Sequence, residues 1–193
     1  YQMIQAGIPP VNDQCFQATN LNVGMSCSPV NGTVANASPS GPVTACNGQA
    51  EDDVWYTFTA QSTNDVSFLI SPAGAGFDPV VEFFTGNSCN NINSIYCLDA
   101  ATDGGAESIT VTQLSVGQTI WIRVYDYYTT PASNPDFTIC LFQNQPVTPG
   151  DECGVAHPVS ISQTCTSPAQ GNFSNYTPST VPASNCVGNP KDA

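Results

Sequence analysis

Positive charge is almost missing from this sequence. Arg123 and Lys191 are its only strongly basic side chains and His157 its only histidine, against fifteen Asp and Glu residues, so the net charge is -13. Such a chain repels a phosphate backbone and an anionic lipid surface alike, which excludes nucleic acid as a partner and disfavours electrostatic attachment to a membrane. Long apolar runs are missing too: none approaches the eighteen or so residues that a spanning helix needs, so no membrane insertion of this segment is expected. A hydrolytic triad requires a general base, and the region where a complete domain can be read holds no histidine. Paired carboxylates could serve a glycosidase, but Asp52, Asp53, Asp78, Asp99, Asp103, Asp126 and Asp136 mostly fall at strand starts and in turns, where Asp caps and hydrogen-bonds loops. The expectation is that the protein is not an enzyme. No Cys-x-x-Cys pair occurs, which weighs against zinc. Tyr1 is not a start methionine and no basic-then-apolar leader follows it, so the segment reads as mature or excised.

Cysteine is abundant. Nine of them among many Asn, Ser, Thr, Pro and Gly residues suit an oxidising compartment, and the reading is extracellular or cell-surface. Two openings also repeat. Asp13-Gln14-Cys15 with Ala18 and Cys27 matches Asp151-Glu152-Cys153 with Ala156 and Cys165 in spacing, and the match runs on through Cys46 and Asp52 against Cys186 and Asp192. The offset of about 138 to 140 residues has the size of one domain. We therefore expect three parts: residues 1–10 as a leader or the tail of a preceding unit, 11–147 as one complete domain, and 148–193 as the N-terminal third of a second copy. A third of a domain cannot bury its own strands, so further sequence or a neighbouring chain is expected to complete it, as in donor-strand assembly. Spacing suggests disulfides Cys15–Cys27, Cys89–Cys97 and Cys153–Cys165, leaving Cys46 for Cys140, although six cysteines in the first copy allow fifteen connectivities.

From Val54 onward the chain is a series of short β-branched and aromatic runs: 54–60, 65–71, 79–86, 94–99, 107–114, 119–127 and 136–142. Several alternate strictly, as in Ile120, Ile122, Val124 against Trp121, Arg123, Tyr125, and an eighth strand is expected near Gly32–Ala37. The predicted fold is all-β, an antiparallel β-sandwich of jelly-roll type in tandem repeat.

The order Asn12-Asp13-x-Cys15-x-x-Ala18, Cys27, Asp52-Asp53-Val54-Trp55-Tyr56-x-Phe58, Phe77-Asp78-Pro79-Val80, Cys89, Cys97-Leu98-Asp99, then Gly117 to Tyr125, and Phe137-Thr138-Ile139-Cys140 resembles the pre-peptidase C-terminal-like domains. These are accessory domains of secreted and cell-surface proteins of Bacteroidetes-type bacteria. The resemblance implies a β-sandwich module found beside peptidases and adhesins, and it leaves the ligand undefined.

Calcium is the metal that loop aspartates and carbonyls would take, with Asp52, Asp53, Asp99 and Asp103 as the candidate ligands; solvated turn acids are the alternative. Tyr125, Tyr127 and Tyr128 offer a binding platform for polysaccharide or protein, or else pack a strand edge. Trp55 and Trp121 are expected in structural positions. Asn31, Asn36, Asn172 and Asn175 stand in Asn-x-Ser/Thr sequons. Two functions remain: a structural or adhesive repeat module whose partners are neighbouring copies in an array or filament, and a binding accessory domain of a secreted peptidase or other hydrolase.

Overall fold

The computed structural model describes residues 7–143 apart from 42–44, 62–64 and 130. They belong to one compact unit, Tyr1–Asn144. The expected second copy, with Cys153, Cys165, Asn172 and Asn175, lies outside the described residues.

Ten strands follow a 3₁₀ turn at Cys15–Gln17: β1 (Thr19–Asn20), β2 (Val23–Gly24), β3 (Val30–Thr33), β4 (Val54–Thr59), β5 (Val66–Pro72), β6 (Pro79–Ser88), β7 (Asn91–Leu98), β8 (Glu107–Val111), β9 (Thr119–Asp126) and β10 (Asp136–Gln143). They form two sheets. The first has the order β1-β4-β9-β6-β7; the second runs β2-β10-β5-β8, with β3 also paired to β10. The alternation read in the sequence explains the layering, because Val54, Tyr56 and Phe58 of β4, Ile120, Ile122 and Val124 of β9, and Val81 and Phe83 of β6 all point one way. They meet Val66, Phe68 and Ile70 of β5 and Phe137, Ile139 and Leu141 of β10 in one buried core. Aromatic edges interlock there, with Phe68 and Phe83 in T-shaped contact at 5.0 Å.

The sheets are mixed, where antiparallel pairing was expected. β1 pairs parallel with β4 and β2 parallel with β10. The cause is a short crossing: Thr19–Gly24 leaves the edge of one sheet and reaches the edge of the other, and buried Leu21 between them donates its N–H to the Thr57 carbonyl. Two-residue strands carry no readable period.

The disulfides also differ from the expected pairs. Cys15 bonds Cys89, Cys27 bonds Cys140, and Cys46 bonds Cys97. Loop length misleads here because the crossing sends Cys15 and Cys27 to different sheets. Cys15 packs with Trp55 and Phe84 on the outer face of the first sheet, whereas Cys27 follows β2 and reaches β10 of the second. Cys89 sits at the β6–β7 turn, while Cys97 lies within β7 opposite Glu82, so hairpin neighbours in sequence serve different loops.

Candidate functional site

The central row of the first sheet's outer face is covered, and a hollow of about 670 Å³ lies among the covering segments. Register places Trp55, Arg123, Glu82 and Cys97 in one row across β4, β9, β6 and β7. Two segments cover that row. Asn12 pairs with Trp55 at both ends, accepting its N–H at 2.8 Å and donating from Nδ2 to its carbonyl at 2.9 Å, and the following turn is fastened by Cys15–Cys89. Ser40 accepts the Trp55 indole N–H at 2.8 Å, and Cys46–Cys97 fastens the second segment to the end of the row.

Beneath this cover lies the one basic residue between positions 7 and 143. Arg123 is 1 % exposed, with Trp55, Phe84 and Tyr125 rings 5.7, 5.8 and 5.2 Å from its guanidinium carbon. It donates from Nε to Glu82 at 2.9 Å, makes a second contact with the same carboxylate, and lies 3.6 Å from Asp53. Burial pushes the Asp53 carboxyl up to about 7, against the opposing pull of the Ser40 hydroxyl and of Arg123. Burial raises Glu82 as well, partly offset by Arg123. Two carboxyls already answer this cation, so the cluster is built to hold the cover and has no surplus charge for an anionic ligand.

The residues expected to bind metal are spread out. Asp52 accepts the Asp126 N–H at 3.0 Å; Asp53 belongs to the buried cluster; Asp99 accepts from the Asn47 side chain; Asp103 accepts the Gly76 N–H at 2.6 Å. Among the described residues no group of three or more His, Cys, Asp or Glu is arranged to hold a metal ion. Burial holds Asp78 and Asp126 above the ordinary carboxylate range, and in Asp78 the charges of Asp99, Asp126, Asp103 and Glu107 add to the rise.

The three tyrosines separate too. Tyr125 is fully buried and donates its hydroxyl to the Asn47 carbonyl at 2.7 Å, so it seals the cover and is no part of a platform. Tyr127 and Tyr128 touch edge to face at 5.2 Å, and Tyr128 is half exposed. Trp55 is buried, and Trp121 donates its indole N–H to the Gly86 carbonyl at 3.1 Å, as structural residues do. Asn31 and Asn36 are both exposed, the first in β3 and the second in a left-handed turn at φ 59°.

The second sheet turns its outer face to solvent. Inward positions on β10 and β5 fill the core, so Thr138 and Asp136, with Ser67 and Ser71, face out. Thr138 pairs with Asn31 on one side and Ser71 on the other, and Asp136 pairs with Thr33, giving two short rows of hydroxyl, amide and carboxylate groups. Between β3, β10 and the end of β5 they line a groove of about 560 Å³, whose lining also includes Pro72, Ala73 and Phe137. That volume is in the range of ligand sites. Only the β3–β10 register brings Asn31 and Thr33 beside them.

Fold and surface together define a disulfide-stapled β-sandwich module with one sheet covered along its central row and the other uncovered. The chain belongs to the T9SS-associated, galactose-binding-domain-like family, which it matches over residues 11–139. The secretion association in the family's description, together with three disulfides, makes it an extracellular or cell-surface module. No curated protein sequence matches it. Among solved structures it is similar to the pre-peptidase C-terminal domain of collagenase from Bacillus anthracis (10% identity, 64% of this chain and 95% of that one, TM-score 0.41). It is also similar to PliG of Aeromonas hydrophila, a periplasmic inhibitor of g-type lysozyme (16%, 64% and 95%, 0.36), and to the carbohydrate-binding module CsCBM6-3 of Clostridium stercorarium in complex with cellobiose (9%, 67% and 98%, 0.31). Among the described residues no helix is long and apolar enough to cross a membrane.

Proposed function

We propose that the module is a binding accessory domain that holds a polysaccharide against its second sheet, near a catalytic or adhesive domain of the same secreted protein. The observation that carries this reading is the contrast between the faces. On the first sheet's side a hollow of about 670 Å³ lies among the stapled covering segments, at Ser40, Gly48 and Glu51, over a charge-balanced interior, while the second sheet presents hydroxyl and amide rows directly beside its groove. Ala73, exposed at the groove's edge, offers an apolar contact for a sugar ring, and Asn31, Ser71 and Thr138 offer donors and acceptors for its hydroxyls. Affinity electrophoresis of the whole chain in gels of soluble polysaccharides tests this. Retardation that Thr138→Tyr abolishes, at unchanged melting temperature, is the expected result; equal retardation of the variant would move the site elsewhere.

A role in an array rests on the repeat of Asp13–Cys27 as Asp151–Cys165. Neighbouring copies would then be its partners, and oligomers in solution are the expected sign; a strictly monomeric chain would count against it. Calcium, where it binds, would use the loop carboxylates of Asp99 or Asp103 with main-chain oxygens, because Asp53 is committed to Arg123. An unchanged melting temperature on moving from chelator to millimolar calcium would dismiss that site.

A further inference from the structure

The groove's charge narrows its ligand, on the reading above that the groove binds a glycan. Between positions 7 and 143 Arg123 is the only basic side chain, and it is buried beneath the first sheet's cover. The second sheet therefore presents no cation at all among the described residues. Asp136 stands at one end of the groove, exposed, beside Thr33 across the β3–β10 pair. Its main-chain carbonyl is tied to the Ala73 N–H at 2.8 Å, which fixes the strand end carrying the carboxylate against the groove's apolar edge. The next loop outward is acidic as well: Asp103 holds Gly76, and Gly76 in turn accepts the Asn134 N–H.

We infer that the groove selects a cationic glycan, an amino-sugar polymer with free amines, and seats one ammonium group against Asp136. A uronate or sulfated chain meets only like charge there and is rejected. A neutral chain can use the hydroxyl rows but gains nothing from Asp136. The selectivity is modest in size, because an exposed single ion pair changes affinity by at most about fivefold.

The test is calorimetric titration of the whole chain at about pH 6, where the amines of a glucosamine oligomer are largely protonated and an oligogalacturonate is ionised. The probes are a glucosamine hexamer, an N-acetylglucosamine hexamer and an oligogalacturonate. The expected order places the glucosamine hexamer first, and Asp136→Asn should erase its lead over the N-acetylated chain. Asp65→Asn is the control, since Asp65 lies at the opposite end of β5, roughly 20 Å from Pro72 at strand rise. If both variants weaken the glucosamine hexamer equally, the general field of an acidic protein explains the preference and the inference falls. If the N-acetylated hexamer or the oligogalacturonate binds as well as the glucosamine hexamer, the inference falls while a glycan-binding groove survives. If no probe binds, and none of the soluble polysaccharides retards the chain, both fail together.

Discussion

Arg123 shows how a single residue can be costly to lose and still contribute little as an interaction. Its guanidinium and its two carboxyl partners all left water on folding, so their mutual attraction mainly offsets their own desolvation. Truncation removes the attraction and keeps the cost. Arg123→Leu is expected to lose about 3–5 kcal/mol of unfolding free energy at neutral pH, read by urea titration. A loss below about 1 kcal/mol would mean that Glu82 and Asp53 are already protonated there and need no cation. The carboxyls also set a pH dependence. Asp52 is pushed up to about 6, first by burial and then by Asp126 and Glu51, and Asp53 up to about 7. Both therefore bind a proton more tightly folded than unfolded, where an aspartate titrates near 3.9. The folded state holds more protons between these values, so the contribution of these two groups to stability is greatest below about pH 4 and is lost as pH rises to about 7. Asp52→Asn keeps the acceptor that receives the Asp126 N–H and removes the titration. The variant should be more stable than the parent at pH 7.5 and show a shallower slope between about pH 4 and 6. An unchanged slope would mean that Asp52 titrates normally in the fold.

Strands were readable where burial imposed a period and unreadable where pairing alone defines them. β4, β5, β6, β9 and β10 fall within a residue or two of the apolar runs because each has one face in the core, and β8 starts with its run but ends three residues before it. β7 begins three residues before its apolar run, since Asn91 and Asn93 belong to the hairpin through register and not through hydrophobicity. β1 and β2 are two residues each, held by edges that other strands create, and the disulfides depend on those edges. For the same reason the groove has no sequence signal: Thr138 and Ser71 come to lie beside Val30–Thr33 only by way of the β10 pairing. The β6–β7 hairpin itself rests on Gly86. Its φ is 156°, the register slips between Gly86 and Ser88, and a Cβ there would sit 2.1 Å from the Asn91 carbonyl oxygen. The same glycine's carbonyl receives the Trp121 indole. Gly86→Ala should cost about 2 kcal/mol or more and loosen the hairpin that carries Cys89 and Cys97. Hydrogen exchange would show faster exchange across β7 first. Unchanged protection there would mean that the bulge has room to relax.

For the molecule as a whole, charge is segregated by depth. The one cation between positions 7 and 143 is internal and compensated, while the exposed ionisable side chains are acidic without exception among the described residues. Surface electrostatics can then only oppose folding, since compaction brings like charges together and no surface ion pairs offset it. Salt separates the two populations. Exposed carboxylates more than about 10 Å apart are screened at 0.1 M, while the buried Arg123 pair is barely reached by ions. Raising sodium chloride from about 20 mM to about 0.5 M should therefore raise the melting temperature by several degrees, an effect of roughly 1 kcal/mol for a domain of this size. Arg123→Leu should melt far lower at every salt concentration and still gain by about the same amount. Chloride is preferred over sulfate for the measurement, because sulfate strengthens apolar burial in its own right. A melting temperature that does not move, or that falls with added chloride, would mean that the exposed carboxylates are already paired or neutralised by a bound cation. A larger salt gain in the Arg123 variant than in the parent would place the buried cluster within reach of solvent ions, contrary to the near-complete burial of Arg123.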